Sequence, residues 1–251
     1  PGILRIRLMY AYADGVDDAL IDLFRTEPKL ARYLDLPIQH ASDPILGRMN
    51  RRDTRHSLEA LLHRLRRDVP GIVLRTTVLV GFPGETEQDM DVLLSFLRAI
   101  RFDRLGCFVF SPEEGTPAAA MEPKVPESVA ESRYHRVMAL QQAISAASLR
   151  RRVGTVESVL IESVSDDGIF YLGRTSGEAP EIDPLLHVAA TSEPLAAGQL
   201  VRVRWVDASD YDLTGVTVDD EPAESPDPPA DPPRAADPGL PAADSVPAGM
   251  E

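Results

Sequence analysis

The segment VGFPGET at residues 80–86 has the residue types and spacing best suited to chemistry in this sequence. It separates an apolar run from an amphipathic stretch, which predicts a strand-to-helix connection. Gly81 and Gly84 let the backbone turn tightly and approach a ligand without a β-carbon in the way. The first N–H groups of the following helix are unpaired and face the same crevice. The segment is not a P-loop, because no Gly-Lys-Ser/Thr follows, and an ordinary connection explains it equally well.

A second cluster, LPIQHAS at residues 36–42, follows a predicted strand. Parallel α/β sheets bind ligands at the carboxyl ends of their strands, and the side chains of Gln39 and His40 can hydrogen-bond a nucleoside. The alternative for His40 is a buried imidazole that the backbone satisfies. Arg75 lies within another predicted strand, where burial of its charge requires an anionic partner. A ligand carboxylate is one such partner, and an internal salt bridge with Asp or Glu is the favoured one.

Three further features have simpler interpretations. Glu113 and Glu114 pair two carboxylates, as acid–base sites do, but they neighbour prolines and a glycine, which predicts a solvated turn. Cys107, the single cysteine, alternates with phenylalanines and is predicted to be a core thiol. One cysteine also excludes an internal disulfide. The arginines at 150–152 predict a helix end that complements the helix dipole.

The elements that must position these residues follow from sequence periodicity. Apolar runs alternate with amphipathic stretches up to about residue 120, which predicts a parallel sheet with helical crossovers. The predicted strands are 4–10, 33–38, 72–80 and 105–110, and helices are predicted at 17–25, after Ser42, from Thr54 to Val69, from Thr86 and over 126–152. Thr86 to Asp89 resembles a capping box. Short strands separated by glycines then predict a small all-β barrel. They are 155–163, 169–172, 185–189, 200–206 and 213–218.

The net charge of -14 is unevenly distributed. Residues 1–152 contain 22 basic and 20 acidic residues, whereas residues 153–219 contain 3 basic and 12 acidic ones. Residues 220–251, with nine prolines, predict a disordered tail. An acidic second half disfavours nucleic acid, which is bound through Lys and Arg contacts.

Localisation is predicted from what the sequence lacks. No apolar run approaches the roughly 20 residues of a membrane span, and no leader peptide is recognised. The sequence therefore predicts a cytoplasmic protein, and Pro1 in place of a start methionine predicts that its beginning is missing.

The order of three segments is more specific than any one of them. Residues 33–52, 74–89 and 102–119 resemble the second half of the radical-SAM domain of methylthiotransferases, and residues 153–218 resemble the TRAM domain that ends these enzymes. The resemblance implies an α/β fold in which residues 1–152 form part of a TIM-like (β/α) barrel. Residues 153–219 would form an OB-like TRAM barrel, followed by the tail at 220–251.

Two branches of this family compete. The wording SPEEGTPA at 111–118 is similar to the ribosomal-protein aspartate methylthiotransferase (RimO) type, as are residues 178–183 and 210–213. The acidic barrel also suits a basic protein better than tRNA. The alternatives are the tRNA adenosine methylthiotransferase (MiaB) type and a non-catalytic adaptor that docks on a protein.

The resemblance also implies cofactors and site residues. It implies S-adenosylmethionine and two 4Fe-4S clusters that together add a methylthio group to an aspartate β-carbon. Gly81, Phe82, Gly84 and Glu85 match the family's adenine-side motif. Gln39, His40 and Arg75 are expected to face the cofactor.

The six cluster cysteines of the family are absent. We therefore assign no catalytic or metal-binding residue and expect this chain alone to be inactive. The partner implied is a small-subunit ribosomal protein bound through the TRAM domain, with no nucleic acid or membrane contact. The carboxylates expected to attract it are Glu178, Glu181, Asp183, Asp210 and Asp212.

Overall fold

The first half of the molecule is built on a four-stranded parallel sheet. The computed structural model describes residues 2, 3, 5–191 and 193–218. The order of the strands in the sheet is their order in the chain, which confirms the predicted parallel arrangement. They are β1 (Ile6–Leu8), β2 (Leu30–Asp35), β3 (Val73–Val80) and β4 (Arg104–Val109).

Within the described residues, six α-helices accompany this sheet and the barrel that follows. They are α1 (Asp18–Thr26), α2 (Asp43–Arg48), α3 (Arg55–Asp68), α4 (Glu87–Ile100), α5 (Pro117–Ala120) and α6 (Glu127–Arg152). Alternate residues of β3 are buried, and Leu74, Val78 and Val80 join the main apolar core with residues of α1, α3, α4 and α6. The other face of β3 carries Arg75 and Thr77. This alternation, which follows from the pleat of a strand, puts Arg75 and Thr77 on the face of β3 opposite the main core.

The second half is a closed five-stranded barrel in the order β5-β6-β7-β9-β8. Its strands are β5 (Val156–Val164), β6 (Tyr171–Arg174), β7 (Leu186–Ala189), β8 (Leu200–Ala208) and β9 (Leu213–Thr217). All pairs are antiparallel except β7 with β9. Trp205 is fully buried in its core, which also contains Leu149 of α6. The predicted all-β barrel is therefore confirmed.

The long helix α6 contacts both halves. It packs on β3 and β4 of the sheet and on β8 of the barrel. Near its middle, Nε2 of Gln142 donates to a carboxylate oxygen of Asp210 in the β8–β9 turn, at 2.5 Å. Its buried residues recur along one face, including Val137, Leu140 and Ile144.

A second contact between the halves is made by residues 175–185, the junction loop between β6 and β7. Ala179 of this loop packs with Ala31 and Tyr33 of β2 in a small apolar cluster. The hydroxyl of Tyr33 donates to Oδ2 of Asp183 at 2.8 Å. The barrel is thus attached to the sheet by both apolar and polar contacts.

Some predicted boundaries were wrong. The second strand was predicted at 33–38, but β2 spans Leu30–Asp35. The segment Pro117–Ala120, a short helix in the structure, was not predicted. None of the helices in the described ranges combines the length and apolar character that a membrane crossing requires. The tail predicted at 220–251 lies outside the described residues.

Candidate cofactor-binding site

The loop at residues 80–86, called the cofactor loop after its predicted ligand, requires both of its glycines for packing within the chain. Gly81 has φ +76°, and a β-carbon there would lie 2.5 Å from Cβ of Ala130 in α6. Gly84 has φ +84°, and its β-carbon would lie 2.8 Å from Nε of Arg48. Arg48 occupies this position because it donates to the carbonyl of Pro83 at 2.9 Å. Packing inside the chain therefore accounts for the glycines, and their contact with a ligand stays a prediction.

Glu85 turns back onto its own loop instead of pointing outward. Its Oε2 accepts a hydrogen bond from the backbone N–H of Gly81 at 3.0 Å, and its Oε1 accepts from Nη1 of Arg133 at 2.9 Å. The side chain is fully buried. Burial raises the pKa of Glu85, and the hydrogen bonds from Gly81 and Arg133 offset this only in part. The carboxylate thus fixes the shape of the cofactor loop.

His40 is a buried, neutral imidazole. Its Nδ1 accepts from the backbone N–H of Ser42 at 2.9 Å, so the proton lies on Nε2. That nitrogen has no hydrogen-bond partner among the described residues, and it lies 3.7 Å from Oε2 of Glu85. Burial lowers the pKa of His40 to about 4 despite the nearby carboxylate of Asp89. His40 is therefore buried, and the backbone satisfies its Nδ1 but not its Nε2; its contact with a ligand stays a prediction.

Gln39 and Arg75 lie at the carboxyl end of β2 and on the polar face of β3. Gln39 is in the left-handed region, with φ +67°, while its backbone bonds to Thr77 and Leu79. Such strain is concentrated at functional sites. Nη1 of Arg75 donates to Oδ1 of the buried Asp35 at 2.8 Å. Burial lowers the pKa of Arg75, but its bond and attraction to Asp35 outweigh burial and raise the pKa overall. The favoured internal salt bridge is thus present.

Exposure divides the seven candidate residues into two groups. Partly exposed are Gln39, Arg75 and Gly84; buried are His40, Gly81, Phe82 and Glu85. Phe82 packs edge-on against the ring of Phe110, with centroids 5.1 Å apart. The partly exposed residues can contact a nucleoside cofactor directly. The buried ones can act on it only by holding the loop and strand ends in place.

An iron–sulfur cluster has no binding site in this part of the structure. Within the described residues there is no group of three or more His, Cys, Asp or Glu side chains arranged for a metal ion. Burial raises the pKa of the Cys107 thiol to about 12, so the residue is the predicted core thiol and not a thiolate ligand. Clusters require several thiolates, and the residues present do not fit one.

Sequence reasoning missed Arg133, Arg48 and Asp35. Arg133 lies on the buried face of α6, between Ala130 and Val137, and its side chain is only 7% exposed. An arginine on the apolar face of a predicted helix was the available signal, because a buried guanidinium needs an anionic partner. No comparable signal marks Arg48, whose contact depends on the fold.

Glu178 and Asp183 were expected to attract a partner from solution, but the structure buries both side chains. Glu178 is buried and accepts from Nη2 of Arg104 at 3.0 Å and from Nη1 of Arg152 at 2.9 Å. Burial would raise its pKa, but the two arginines lower it to about 2. Asp183 is likewise buried against Tyr33. Both carboxylates belong to the contact between sheet and barrel, whereas Glu181 and Asp210 are exposed.

Comparison with known proteins agrees with this architecture. A family model described as the TRAM domain matches residues 153–218, the barrel. The ribosomal protein uS12 methylthiotransferase RimO of Geobacter sulfurreducens is 49% identical over 215 residues, which are 85% of this chain and 48% of the relative. The protein of the same name from Acetivibrio thermocellus is 47% identical over 219 residues, 87% of this chain and 48% of that protein.

This chain is similar to RimO-type methylthiotransferases over about 85% of its own length. It spans about half the length of the curated relatives it matches. Among solved structures, coproporphyrinogen III oxidase (HemN) from Escherichia coli, a radical SAM enzyme, is similar with a TM-score of 0.47 and 13% identity. That similarity covers 69% of this chain and 46% of HemN.

Proposed function

We propose that this chain is part of an enzyme that adds a methylthio group to the β-carbon of an aspartate on ribosomal protein uS12. The observation that carries the proposal is the 49% identity to a uS12 methylthiotransferase over 85% of the chain. Neither the sheet half nor the barrel is long enough to supply that coverage alone. The proposed cofactors are S-adenosylmethionine and two 4Fe-4S clusters, and the clusters would be held outside this chain.

The proposed role of the described residues is to bind and orient the nucleoside cofactor. When bound, S-adenosylmethionine supplies the radical chemistry and the methyl group. Arg75 keeps N–H groups beyond the one it donates to Asp35, and its side chain is 14% exposed. Those groups would hold the cofactor carboxylate, while Gln39 would hydrogen-bond its sugar or base. His40 and Glu85 would orient the cofactor loop from behind.

The first experiment tests the cofactor site. The purified chain is titrated with S-adenosylmethionine, and amide shifts of Gln39, Arg75 and Gly84 are followed by NMR. We expect saturable shifts at these positions and weaker binding by Arg75→Ala. The same chain after anaerobic reconstitution should hold no stoichiometric iron. Iron–sulfur absorbance at one cluster per chain would contradict this assignment of the clusters.

The barrel is the proposed contact for uS12. Glu181 and Asp210 are exposed carboxylates of an acidic domain, and a basic ribosomal protein would be attracted to them with a strength that salt reduces. A phosphate backbone would be repelled by the same charges.

The second experiment compares binding of uS12 with binding of tRNA. The whole chain is titrated with uS12 and with tRNA at two salt concentrations. We expect uS12 to bind more tightly at low salt, and the double variant Glu181→Gln, Asp210→Asn to weaken that binding. Tighter binding of tRNA would favour the tRNA-modifying branch of the family.

A further inference from the structure

The start of α6 is built into the cofactor loop through one buried side chain. Arg133 donates from Nη1 to Oε1 of Glu85 at 2.9 Å and to the carbonyl oxygen of Glu85 at 3.2 Å. Both side chains are excluded from solvent, so neither charge is screened by water. A single guanidinium therefore fixes the side chain and the backbone of the residue that ends the GFPGE segment.

Glu85 passes this constraint back to the beginning of the loop. The oxygen that does not face Arg133, Oε2, accepts from the N–H of Gly81. The same oxygen lies 3.7 Å from Nε2 of His40, at the end of the neighbouring strand. Arg133, Glu85 and Gly81 thus form a continuous series of hydrogen bonds that closes the loop on itself.

We infer that Arg133 is a positioning residue that holds the cofactor loop, through Glu85, in the conformation that binds an adenine nucleoside. This rests on the proposed cofactor site and adds a residue that contacts no ligand itself. Groups that orient metal ligands from behind change affinity about 10- to 100-fold when they are removed, and we expect a comparable effect of Arg133 on this loop.

Arg136 offers a matched control on the same helix. It lies one turn after Arg133 and pairs with Glu87 and Asp91, whose side chains are 59% and 65% exposed. Removing Arg136 breaks a contact between α6 and α4 of similar chemistry. Arg133, whose Nη2 lies 3.8 Å from the same Glu87 carboxylate, keeps both of its hydrogen bonds to Glu85.

The test measures two quantities on the whole chain, for wild type, Arg133→Met, Arg133→Lys and Arg136→Met. The first is the amide shift of Gly81 by NMR, which reports the loop conformation without any ligand. The second is the Kd for S-adenosylmethionine. We expect Arg133→Met to move the Gly81 resonance and raise the Kd about tenfold or more, Arg133→Lys to restore part of both, and Arg136→Met to change neither.

Each other result contradicts the inference. If Arg133→Met moves the Gly81 resonance but binds S-adenosylmethionine like wild type, the loop needs no such positioning, and the cofactor site itself stands. If wild type shows no saturable binding, the proposed site fails and the inference fails with it. If Arg133→Met does not fold, Arg133→Lys and Glu85→Gln decide, because wild-type affinity in both folded variants would overturn the role of the pair.

Discussion

Each end of α6 carries an arginine paired with a buried glutamate, but the pKa of the glutamate is raised at one end and lowered at the other. Near its start, Arg133 is paired with buried Glu85, whose pKa burial raises. At its end, Arg152 is paired with buried Glu178, whose pKa burial would also raise, but here Arg152 and Arg104 together lower it to about 2. Burial is common to both carboxylates. Glu178 has a second arginine and a hydrogen bond from Thr175, which turn the net shift of its pKa downward.

The two contacts therefore differ in how they respond to change. Glu85 can take up a proton when its arginine is removed or the pH falls, so the cofactor loop can adjust. Glu178 is expected to stay charged, because two guanidinium groups donate to it. Its protonation would leave Arg152 with Glu157 as its remaining anion and Arg104 with Asp183 at 4.0 Å. Protonation can therefore relieve a change at the Glu85 end of α6, whereas it cannot do so at the Glu178 end.

Loss of the Glu178 charge should have the largest effect. Glu178→Gln removes the anion that Arg104 and Arg152 share, while Arg152 keeps its two hydrogen bonds to Glu157. Breaking a buried ion pair costs up to about 3–5 kcal/mol. Urea unfolding of the variant should show that loss in the free energy of unfolding. Glu181→Gln, an exposed change in the same junction loop, should stay within about 0.5 kcal/mol of wild type. Equal stability of the two variants would show that the junction does not depend on the charge.

Loss of Arg133 should cost less, and the cost should depend on pH. Arg133→Met leaves Glu85 without its cation, at about 1–3 kcal/mol, but protonation of Glu85 can relieve part of this. Unfolding at pH 8 and pH 5 should therefore show the larger loss at pH 8. Arg136→Met removes a mainly exposed pair and should cost at most about 1 kcal/mol. A pH-independent loss would mean that Glu85 does not protonate in the variant.

Two backbone amides can report the comparison directly in the wild-type chain. The Gly81 N–H donates to Glu85, and the Thr175 N–H donates to Glu178 at 2.9 Å. On acidification we expect the Gly81 resonance in an NMR titration to shift first, because the pKa of Glu85 is above the ordinary 4.5 and that of Glu178 is about 2. A shift of Thr175 at the higher pH would reverse the comparison.

These shifts have opposite signs as contributions to stability. The contribution of ionised Glu178 is complete above its ordinary pKa of 4.5 and is lost as the pH falls toward about 2. The pKa of Glu85 is raised, so its contribution to stability is complete below the ordinary pKa of 4.5. That contribution declines as the pH rises through the higher pKa of the folded state. Neutral His40 behaves like Glu178, and its contribution is lost between pH 6.5 and about 4. On acidification, protonation at the cofactor loop should therefore begin at a higher pH than protonation at the junction loop.

The smallest effect is expected for Tyr33→Phe. This change removes one hydrogen bond, from the Tyr33 hydroxyl to Asp183, while the N–H of Ala179 still donates to the same oxygen at 2.8 Å. The expected loss is about 1 kcal/mol in the free energy of unfolding, with the ring contacts intact. A loss as large as that of Glu178→Gln would mean that Asp183, and not Glu178, is the principal anchor of the barrel.

The elements of the fold were readable from the sequence because their signals are local. The alternation of β3 and the apolar spacing of α3 and α4 occur within a few residues, and the predicted capping box from Thr86 to Asp89 is present. The end of β2 was predicted too late in the chain because Leu36 to Ile38 are apolar. Pro37 has no N–H to donate, which interrupts a strand ladder, and the left-handed Gln39 then turns the chain.

The candidate site was only partly readable because its contacts are distant in sequence. Arg133 lies 48 residues from Glu85, and Arg104 lies 74 residues from Glu178. Nothing local distinguishes buried Glu178 from exposed Glu181, so charge counting treated them alike. Arg75 was easier to interpret, because an arginine within a parallel strand requires an anion wherever that anion comes from.

Through the bond between Gln142 and Asp210, α6 connects the acidic β8–β9 turn with the cofactor loop, which it contacts through Arg133. Gln142 follows Arg133 by nine positions, which at 1.5 Å per residue sets a spacing of about 14 Å along the helix. One helix thus carries both contacts, and this spacing separates the residue that binds the β8–β9 turn from the residue that binds the cofactor loop.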